Sequence, residues 1–297
     1  QHVRYFAGTI TLAELALSIL VFVSYNLAEG GIQLVDRVVD WIPIQSFEVQ
    51  YFLAVDGLSA PLVLLTGVLG MVAVFASWSI KFRVRDYFMW LMVLQTAVMG
   101  VFTALDFLMF FVMWELELIP MFFLISIWGS GRKEYSAMKF LIFTLLGSAF
   151  MLVGILALFF SVGTFDMTEM PQAIKTGSFI IPMGWIFALL FIAFAVKLPI
   201  WPLHTWLPDA HTDAPTAVSV MLAGVLLKMG AYGILRVSVG MFPEVIIDVA
   251  WILLVFGVIN ILYGAVVTLR QTDLKRLVAF SSISHMGYVL IGIASVA

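Results

Sequence analysis

The chain has 297 residues, of which 63% are hydrophobic and only 11% are charged, and its mean hydropathy is +1.11. Because a soluble domain carries about a quarter charged residues, this composition excludes an ordinary soluble fold and favours a protein whose outer faces contact lipid. The net charge of −3 and the lack of a basic run exclude nucleic acid as an expected partner, and the absence of cysteine excludes disulfides and iron–sulfur clusters held by this chain.

Hydrophobic stretches of membrane-spanning length follow one another along the whole chain. Nine are predicted, at about residues 5–27, 58–79, 87–104, 106–128, 136–162, 180–198, 214–238, 245–269 and 276–297. No flexible or charged linker divides them, and the longest polar stretches are 28–56 and 163–178. We therefore expect an all-α polytopic membrane protein with a single transmembrane domain over 1–297. Because the chain opens with Gln1 and its last hydrophobic stretch runs to Ala297, we expect a fragment of a longer chain.

The basic residues of the loops are distributed unequally between the two sides of the predicted membrane. If successive spans alternate in direction, ten Lys and Arg residues fall on one side and three on the other, while two lysines remain inside spans. The ten are Arg4, Lys81, Arg83, Arg85, Arg132, Lys133, Lys139, Arg270, Lys275 and Arg276, and the three are Arg37, Lys175 and Arg236. Loops rich in Lys and Arg face the cytoplasm, so we assign the first side to the cytoplasm, or to the stroma of a plastid.

Five charged side chains remain inside the predicted spans, namely Glu14, Glu115, Glu117, Lys197 and Lys228. Each costs roughly 2.5–3.5 kcal/mol at the centre of a helix in lipid on insertion scales, so we expect these groups to face the interior of a helix bundle. Glu115 and Glu117 are two residues apart, which is about 200° around a helix, so they cannot share one helix face. Glu14 has no other charge near it in the sequence, and we interpret it as structural or as a contact with another subunit.

The segment 197–215, KLPIWPLHTWLPDAHTDAP, contains four of the ten prolines of the chain. Proline removes a backbone donor and kinks or ends a helix, and irregular backbone at membrane depth occurs only where it is buried in protein or lines a wet cavity. We expect the helix to break between Lys197 and Trp201, with Lys197 at the edge of the break, where water reaches it. His204, Asp209 and His211 follow on the same side. A re-entrant loop held by ordinary hydrogen bonds is the competing interpretation.

Lysine suits a proton relay, because burial disfavours its charged form and a nearby carboxylate restores it. A change in the carboxylate then makes the lysine release its proton. His285 lies within a turn of three serines, in SSISH, and is a further relay candidate because those hydroxyls could hold a water chain. A structural ion pair that locks two helices together would also explain a buried Glu and Lys.

Six motifs in one order give the chain a resemblance to a known family. They are WELELIP from residue 114, FLISIWG from 123, FLIFT from 140, KLPIWPLHTWLPDAH from 197, LLKMGAYGILR from 226 and DLKRLVAFSSISHMGYVLIGI from 273. Together they resemble the antiporter-like chain 4 subunits of complex I (NDH-1) NADH–quinone oxidoreductases, over essentially the whole chain from about residue 50. The second glutamate of WELELIP makes the chain most similar to the cyanobacterial and plastid NAD(P)H–plastoquinone form.

The resemblance implies functional positions and a bundle architecture. It matches Glu115 to the glutamate of the family's fifth helix, Lys197 to the lysine of the broken seventh helix and Lys228 to the lysine of the eighth, while His204, His211 and His285 match polar positions along the family's hydrated axis. Glu117 has no counterpart in the general pattern. The family consists of two inverted antiporter-like bundles, so residues 1–79 would be early helices, 87–238 the first bundle and 245–297 the start of the second.

The resemblance also implies a function and partners. The chain would be a proton-translocating subunit of an NAD(P)H- or ferredoxin-dependent (plasto)quinone oxidoreductase in the thylakoid or the bacterial plasma membrane. It would have no cofactor of its own, with iron–sulfur clusters and quinone in partner subunits, and it would contact lipids, other membrane subunits and neighbouring antiporter-like subunits. Two alternatives stay open, which are a subunit of a multisubunit sodium/proton antiporter and a membrane scaffold without its own ion path.

Overall fold

The computed structural model describes residues 2–44 and 47–296, so Gln1, Gln45, Ser46 and Ala297 lie outside the described part. The backbone contacts group into two compact units whose segments alternate along the chain. Unit 1 comprises Gln1–Ser130, Phe165–Met167 and Ala214–Val225, and unit 2 comprises Gly131–Thr164, Thr168–Asp213 and Leu226–Ala297. The bundle boundaries implied by the family resemblance stay predictions, because these units interleave instead of following one another.

The described residues are mostly helical, with one β-hairpin. In chain order the elements are α1 His2–Ser24, β1 Gln33–Ile44, β2 Phe47–Val55, α2 Ser59–Ala76, α3 Val84–Thr103, α4 Phe107–Leu116, α5 Leu118–Trp128, α6 Lys133–Val162, α7 Met170–Thr176, α8 Met183–Lys197, α9 Trp206–Asp213, α10 Thr216–Met221, α11 Leu227–Gly233, α12 Pro243–Leu269 and α13 Leu274–Val296. A short 3₁₀ turn precedes α9, and π-helical turns join α10 to α11 and follow α11.

Eight helical segments of the described chain are long and apolar enough to cross a membrane, and they match eight of the nine predicted spans. Two of these segments are composite: α4 and α5 together cover Phe107–Trp128, and α10, α11 and their π-helical turns cover Thr216–Val239. The remaining predicted span, 180–198, corresponds to α8, which has only 15 residues. A helix needs about 20 residues to cross the hydrocarbon core, so α8 by itself is too short. The chain is an integral membrane protein with an all-α membrane part, as its composition predicts.

The hairpin β1–β2 in unit 1 lies in the polar stretch 28–56, where the sequence analysis predicted no element. The two strands pair antiparallel, and Arg37 anchors them because its guanidinium lies 2.8 Å from the Asp166 carboxylate and donates to Gln50 at 2.7 Å. The backbone N–H of Gln50 donates in turn to Asp106 at 3.1 Å. Asp106 and Asp166 are almost completely buried, so this polar cluster ties the hairpin to the loops at one end of unit 1.

The helices of unit 2 pack through small residues. α6 packs against α8, α8 against α11, and α12 against α13 over most of their length. Gly257 and Gly287 face each other across α12 and α13, and a Cβ added at Gly287 would lie 2.7 Å from the carbonyl oxygen of Gly257. Close backbone approach of this kind is the usual way in which membrane helices gain contact area, because lipid gives them no hydrophobic drive to associate.

Candidate functional site at a broken helix

The helix that contains Lys197 is broken where the prolines predict. α8 ends at Lys197, and helical structure resumes only at the 3₁₀ turn Leu203–Thr205 and then in α9. Pro199 and Pro202 lie in the gap and cannot donate backbone hydrogen bonds. The predicted loss of regular helix between Lys197 and Trp201 is therefore confirmed.

Side chains from outside the break bond the backbone groups that it leaves without helical partners. The amide of Asn260, a completely buried residue of α12, accepts a hydrogen bond from the N–H of Trp201 at 2.8 Å and donates one to the carbonyl of Pro199 at 3.3 Å. The indole N–H of Trp206 donates to the carbonyl of Val196 at 3.0 Å. Because unsatisfied backbone groups are costly at membrane depth, these two side chains make the break stable.

Lys197 is buried beside this break, with only 1% of its surface exposed. Its ammonium nitrogen lies 5.8 Å from the centre of the Phe140 ring on α6, within the range of a cation–π interaction. The same ring packs edge-on against Trp206 at 5.3 Å between ring centroids. The end of α8 is thus held between α6 and α9 by two aromatic side chains.

Lys228 lies on α11, the helix that touches the end of α8. A Cβ added at Gly230 would lie 2.5 Å from the backbone nitrogen of Leu198 and 2.9 Å from the carbonyl oxygen of Phe194, so the two backbones are in direct contact there. Lys228 is half-buried. The structure therefore places the two predicted lysines on adjoining segments, each within two residues of that contact.

Two of the three predicted histidines lie in the same region. His204 and His211 are both buried. The ring of His204 packs edge-on against Tyr263 at 5.0 Å, and the imidazole lies within electrostatic range of Lys139. His211 lies within electrostatic range of Lys228 and Lys275. His285, in contrast, is exposed on α13, and the structure does not bring it into this group.

A network of charges fixes α9 in place, and its central residue, Asp209, is one that the sequence singled out without its partners. Asp209 on α9 lies 2.7 Å from the ammonium of Lys139 on α6 and 3.7 Å from the guanidinium of Arg276 on α13. Lys275 donates to the carbonyl of Thr212 at 3.4 Å, and Ser136 donates to Asp213. The residues are distant in sequence, so only the fold reveals that α9 is fastened on two sides.

The predicted carboxylates lie in unit 1. Glu115 is half-buried near the end of α4, whereas Glu117 is fully buried at the interruption between α4 and α5. The sequence predicts one continuous helix over 106–128, and the interruption at Glu117 departs from that prediction. Glu14, on α1, is half-buried beside Gln95 of α3.

The side chains at this site have the chemistry of proton transfer. Lysine, histidine and carboxylate side chains can each take up and release a proton. Within residues 2–44 and 47–296, no three His, Asp or Glu side chains are grouped so that they could hold a metal ion.

The fold and the broken helix define an antiporter-like membrane domain, and sequence comparison gives its family. A family model described as NADH:quinone oxidoreductase/Mrp antiporter, TM, matches residues 104–297, and the chain belongs to this family.

Curated relatives are similar over nearly the whole chain. The NAD(P)H-quinone oxidoreductase chain 4 proteins of Thermosynechococcus vestitus and Synechococcus elongatus are 44% and 46% identical to it, over 99% of this chain and 55% of theirs. This chain spans about half the length of the curated relatives it matches. Among solved structures, a chain of respiratory complex I from Thermus thermophilus with bound NADH matches with a TM-score of 0.86 and 26% identity, over 98% of this chain and 60% of that one.

Proposed function

We propose that this chain is part of the chain 4 subunit of a complex I-type NAD(P)H- or ferredoxin–(plasto)quinone oxidoreductase and relays protons through its buried ionisable residues. Lys197 and Lys228 would carry the proton in unit 2, with His204 and His211 beside them, and Glu115 would provide the titrating carboxylate. His285 stays a weaker candidate, because its side chain is exposed here.

The main support for this proposal is the position of Lys197. A buried lysine lies where a membrane helix ends early, and the break is stabilised by Asn260 and Trp206 instead of being removed. Broken helices at membrane depth are typical of transport sites, because the ends of the half-helices and the freed backbone line a hydrated cavity. An ionisable residue in this position is a functional-site hypothesis by default.

Other buried polar atoms support a hydrated path in unit 2. Within the described part of the chain, Ser148 Oγ on α6 and His204 Nδ1 have no hydrogen-bond partner. Buried polar atoms of this kind ordinarily bind ordered water. Water at these positions would extend hydrogen bonding along the helices that flank Lys197.

The proposal also places the chain in an assembly with redox subunits. The relatives are named as quinone oxidoreductase chains, so redox centres, including iron–sulfur clusters and bound quinone, would lie in partner subunits. The partners would be other membrane subunits of that assembly, including neighbouring antiporter-like chains, and the membrane would be the thylakoid or plasma membrane. The family description also includes Mrp antiporters, so a sodium/proton antiporter subunit is the second candidate.

Lys197→Arg in the assembled complex tests the relay. Arginine keeps the charge but does not release its proton at accessible pH. We therefore expect assembly at normal levels and a loss of proton translocation of about tenfold or more, since one general acid–base contribution is about 10²–10⁴-fold. Lys175→Arg, at an exposed position on α7, is the matched control and should translocate normally. Near-normal translocation by Lys197→Arg would show that Lys197 is only structural.

Sodium dependence separates the two candidate functions. A complex I-type subunit should copurify with redox subunits and translocate protons at the same rate with and without added sodium. Copurification without redox subunits, together with activity that requires sodium, would favour the antiporter.

A further inference from the structure

Unit 1 contains a cavity of about 800 Å³ between α1 and α3 that the proton relay does not use. Its lining residues come from the first turns of both helices and from the end of α4. They are His2, Val3, Phe6, Ala7, Arg85, Phe88, Met89, Met92, Val93, Thr96 and Leu116. The two basic residues, His2 and Arg85, lie at the N-terminal ends of α1 and α3, and nearly all other lining residues are apolar.

The apolar part of the cavity opens towards the bilayer. Phe6 is 64% exposed and Met89 is 48% exposed. Both lie on membrane-spanning helices, so their exposed apolar surface faces lipid. Between Arg85 and Thr96 the cavity follows α3 for eleven residues, which is about 16 Å at 1.5 Å per residue. This depth is about half of the 30 Å hydrocarbon core, and so equals one leaflet.

The rim carries a positive charge that no ion pair of the described residues neutralises. Arg83, the neighbour of Arg85, is paired with Asp86 at 2.6 Å. For Arg85, by contrast, no acidic partner occurs within the described part of the chain, and its side chain is exposed. Arg4, one turn along α1, donates to the carbonyl of Ile80 at 2.6 Å and adds a further positive charge at this end.

We propose that this cavity binds one anionic glycerolipid from the cation-rich leaflet. The anionic headgroup would contact Arg85 and His2, and one acyl chain would fill the space between α1 and α3. Basic pockets between membrane helices on the cytoplasmic side are the usual sites of anionic headgroups. A helix of a neighbouring subunit fits less well, because it would have to cross both leaflets whereas the cavity is only one leaflet deep.

Photolabelling of the full-length subunit in its assembled complex tests the site. The complex is reconstituted into vesicles that contain either phosphatidylglycerol or phosphatidylcholine with a photoreactive group in the acyl chain, and adducts are mapped by peptide mass spectrometry. We expect adducts on the first turns of α1 and α3, with phosphatidylglycerol exceeding phosphatidylcholine about fivefold, the ratio expected for one surface cation. Equal labelling by the two lipids would overturn the proposal.

Two pairs of variants separate the headgroup contact from the chain contact. Arg85→Gln should lower phosphatidylglycerol labelling to the phosphatidylcholine level, whereas Arg83→Gln, which removes a cation already paired with Asp86, should leave it unchanged. Val93→Trp should fill the cavity and abolish labelling by both lipids, whereas Val153→Trp, at a lipid-facing position of α6 that is 53% exposed, should not. Unchanged labelling in Arg85→Gln, or crosslinks from this face to another protein subunit, would overturn the proposal. None of these outcomes depends on proton translocation.

Discussion

The titrating residues differ in burial, and that difference changes the roles expected for them. From the sequence, Glu115 is the principal carboxylate, because it alone matches the family pattern. The structure buries Glu117 completely at the interruption between α4 and α5 and leaves Glu115 half-buried. A buried carboxyl is the group whose charge the surroundings control most strongly, so Glu117 has a place in the hypothesis beside Glu115.

Glu115→Gln and Glu117→Gln test the two carboxyls. Glutamine keeps the shape and the hydrogen-bonding reach of glutamate but cannot titrate, so we expect both variants to assemble. Glu115→Gln should cut proton translocation tenfold or more, and Glu117→Gln should also reduce it. Translocation by both variants in sealed vesicles is the measurement, with Glu134→Gln, at an exposed position in the first turn of α6, as control. Normal translocation by Glu115→Gln would exclude it from the relay.

Asp106 should make the stability of unit 1 depend on pH. Burial raises the pKa of its carboxyl above the ordinary 3.8, although the N–H groups of Met109 and Gln50, which donate to it, act in the opposite direction. A carboxyl with a raised pKa stabilises the folded state below pH 3.8, and this contribution is lost as the pH rises through the folded-state pKa.

Two substitutions at Asp106 distinguish its charge from its helix-capping role. Asp106→Asn cannot ionise but can still accept from Met109, so its unfolding temperature should fall less steeply than that of the parent as pH rises above 3.8. Asp106→Ala also loses the cap of α4 and should cost about 1 kcal/mol. Thermal unfolding of the purified protein across this pH range is the test, and an Asp106→Asn curve parallel to the parent would contradict it.

At the scale of elements, the membrane helices could be predicted from the sequence. The breaks and interruptions in those helices could be predicted only in part. The predicted spans 245–269 and 58–79 agree closely with α12 and α2, because a spanning helix must be apolar on every side. The break after Lys197 was predictable because proline acts locally. The hairpin β1–β2 was not, because Arg37 and Asp166, which anchor it, are 129 residues apart.

Asn260 is the element-scale feature that sequence reasoning missed, and it should be essential to the break. Asn260→Leu would remove the side-chain partner of the Trp201 N–H and of the buried Pro199 carbonyl, at about 1–3 kcal/mol for the buried carbonyl. We expect lower thermal stability and lower proton translocation. Ser284→Ala, which removes a hydrogen bond from α13 to the carbonyl of Ile261 on α12, is the matched control and should cost about 1 kcal/mol or less. Equal losses in the two variants would show that Asn260 has no special role.

At the scale of the whole chain, the distribution of charge predicts the topology. The sequence assigns Lys139, Lys275 and Arg276 to the same side of the membrane. The structure agrees within unit 2, because Lys139 and Arg276 meet at one carboxylate, Asp209, and Lys275 bonds the same helix. The residue types of the candidate site could be predicted from the sequence, but their spatial arrangement could not. That arrangement depends on contacts between helices that are distant in the sequence.

Helix α6 allows a test of which side of the membrane each loop faces, because its 30 residues extend about 45 Å and so cross the bilayer completely. Glu134 lies near its first turn on the cation-rich side, and Lys175 lies beyond its far end on α7; both are exposed. Because this stretch of 297 residues contains no cysteine, Glu134→Cys and Lys175→Cys each add one reporter thiol to it. A membrane-impermeant maleimide should label Glu134→Cys only from the cytoplasmic or stromal face of sealed vesicles, and Lys175→Cys only from the opposite face. The unsubstituted protein measures background labelling. Labelling of both positions from one face would contradict a membrane-spanning α6, and labelling from the reversed faces would contradict the orientation derived from the basic loops.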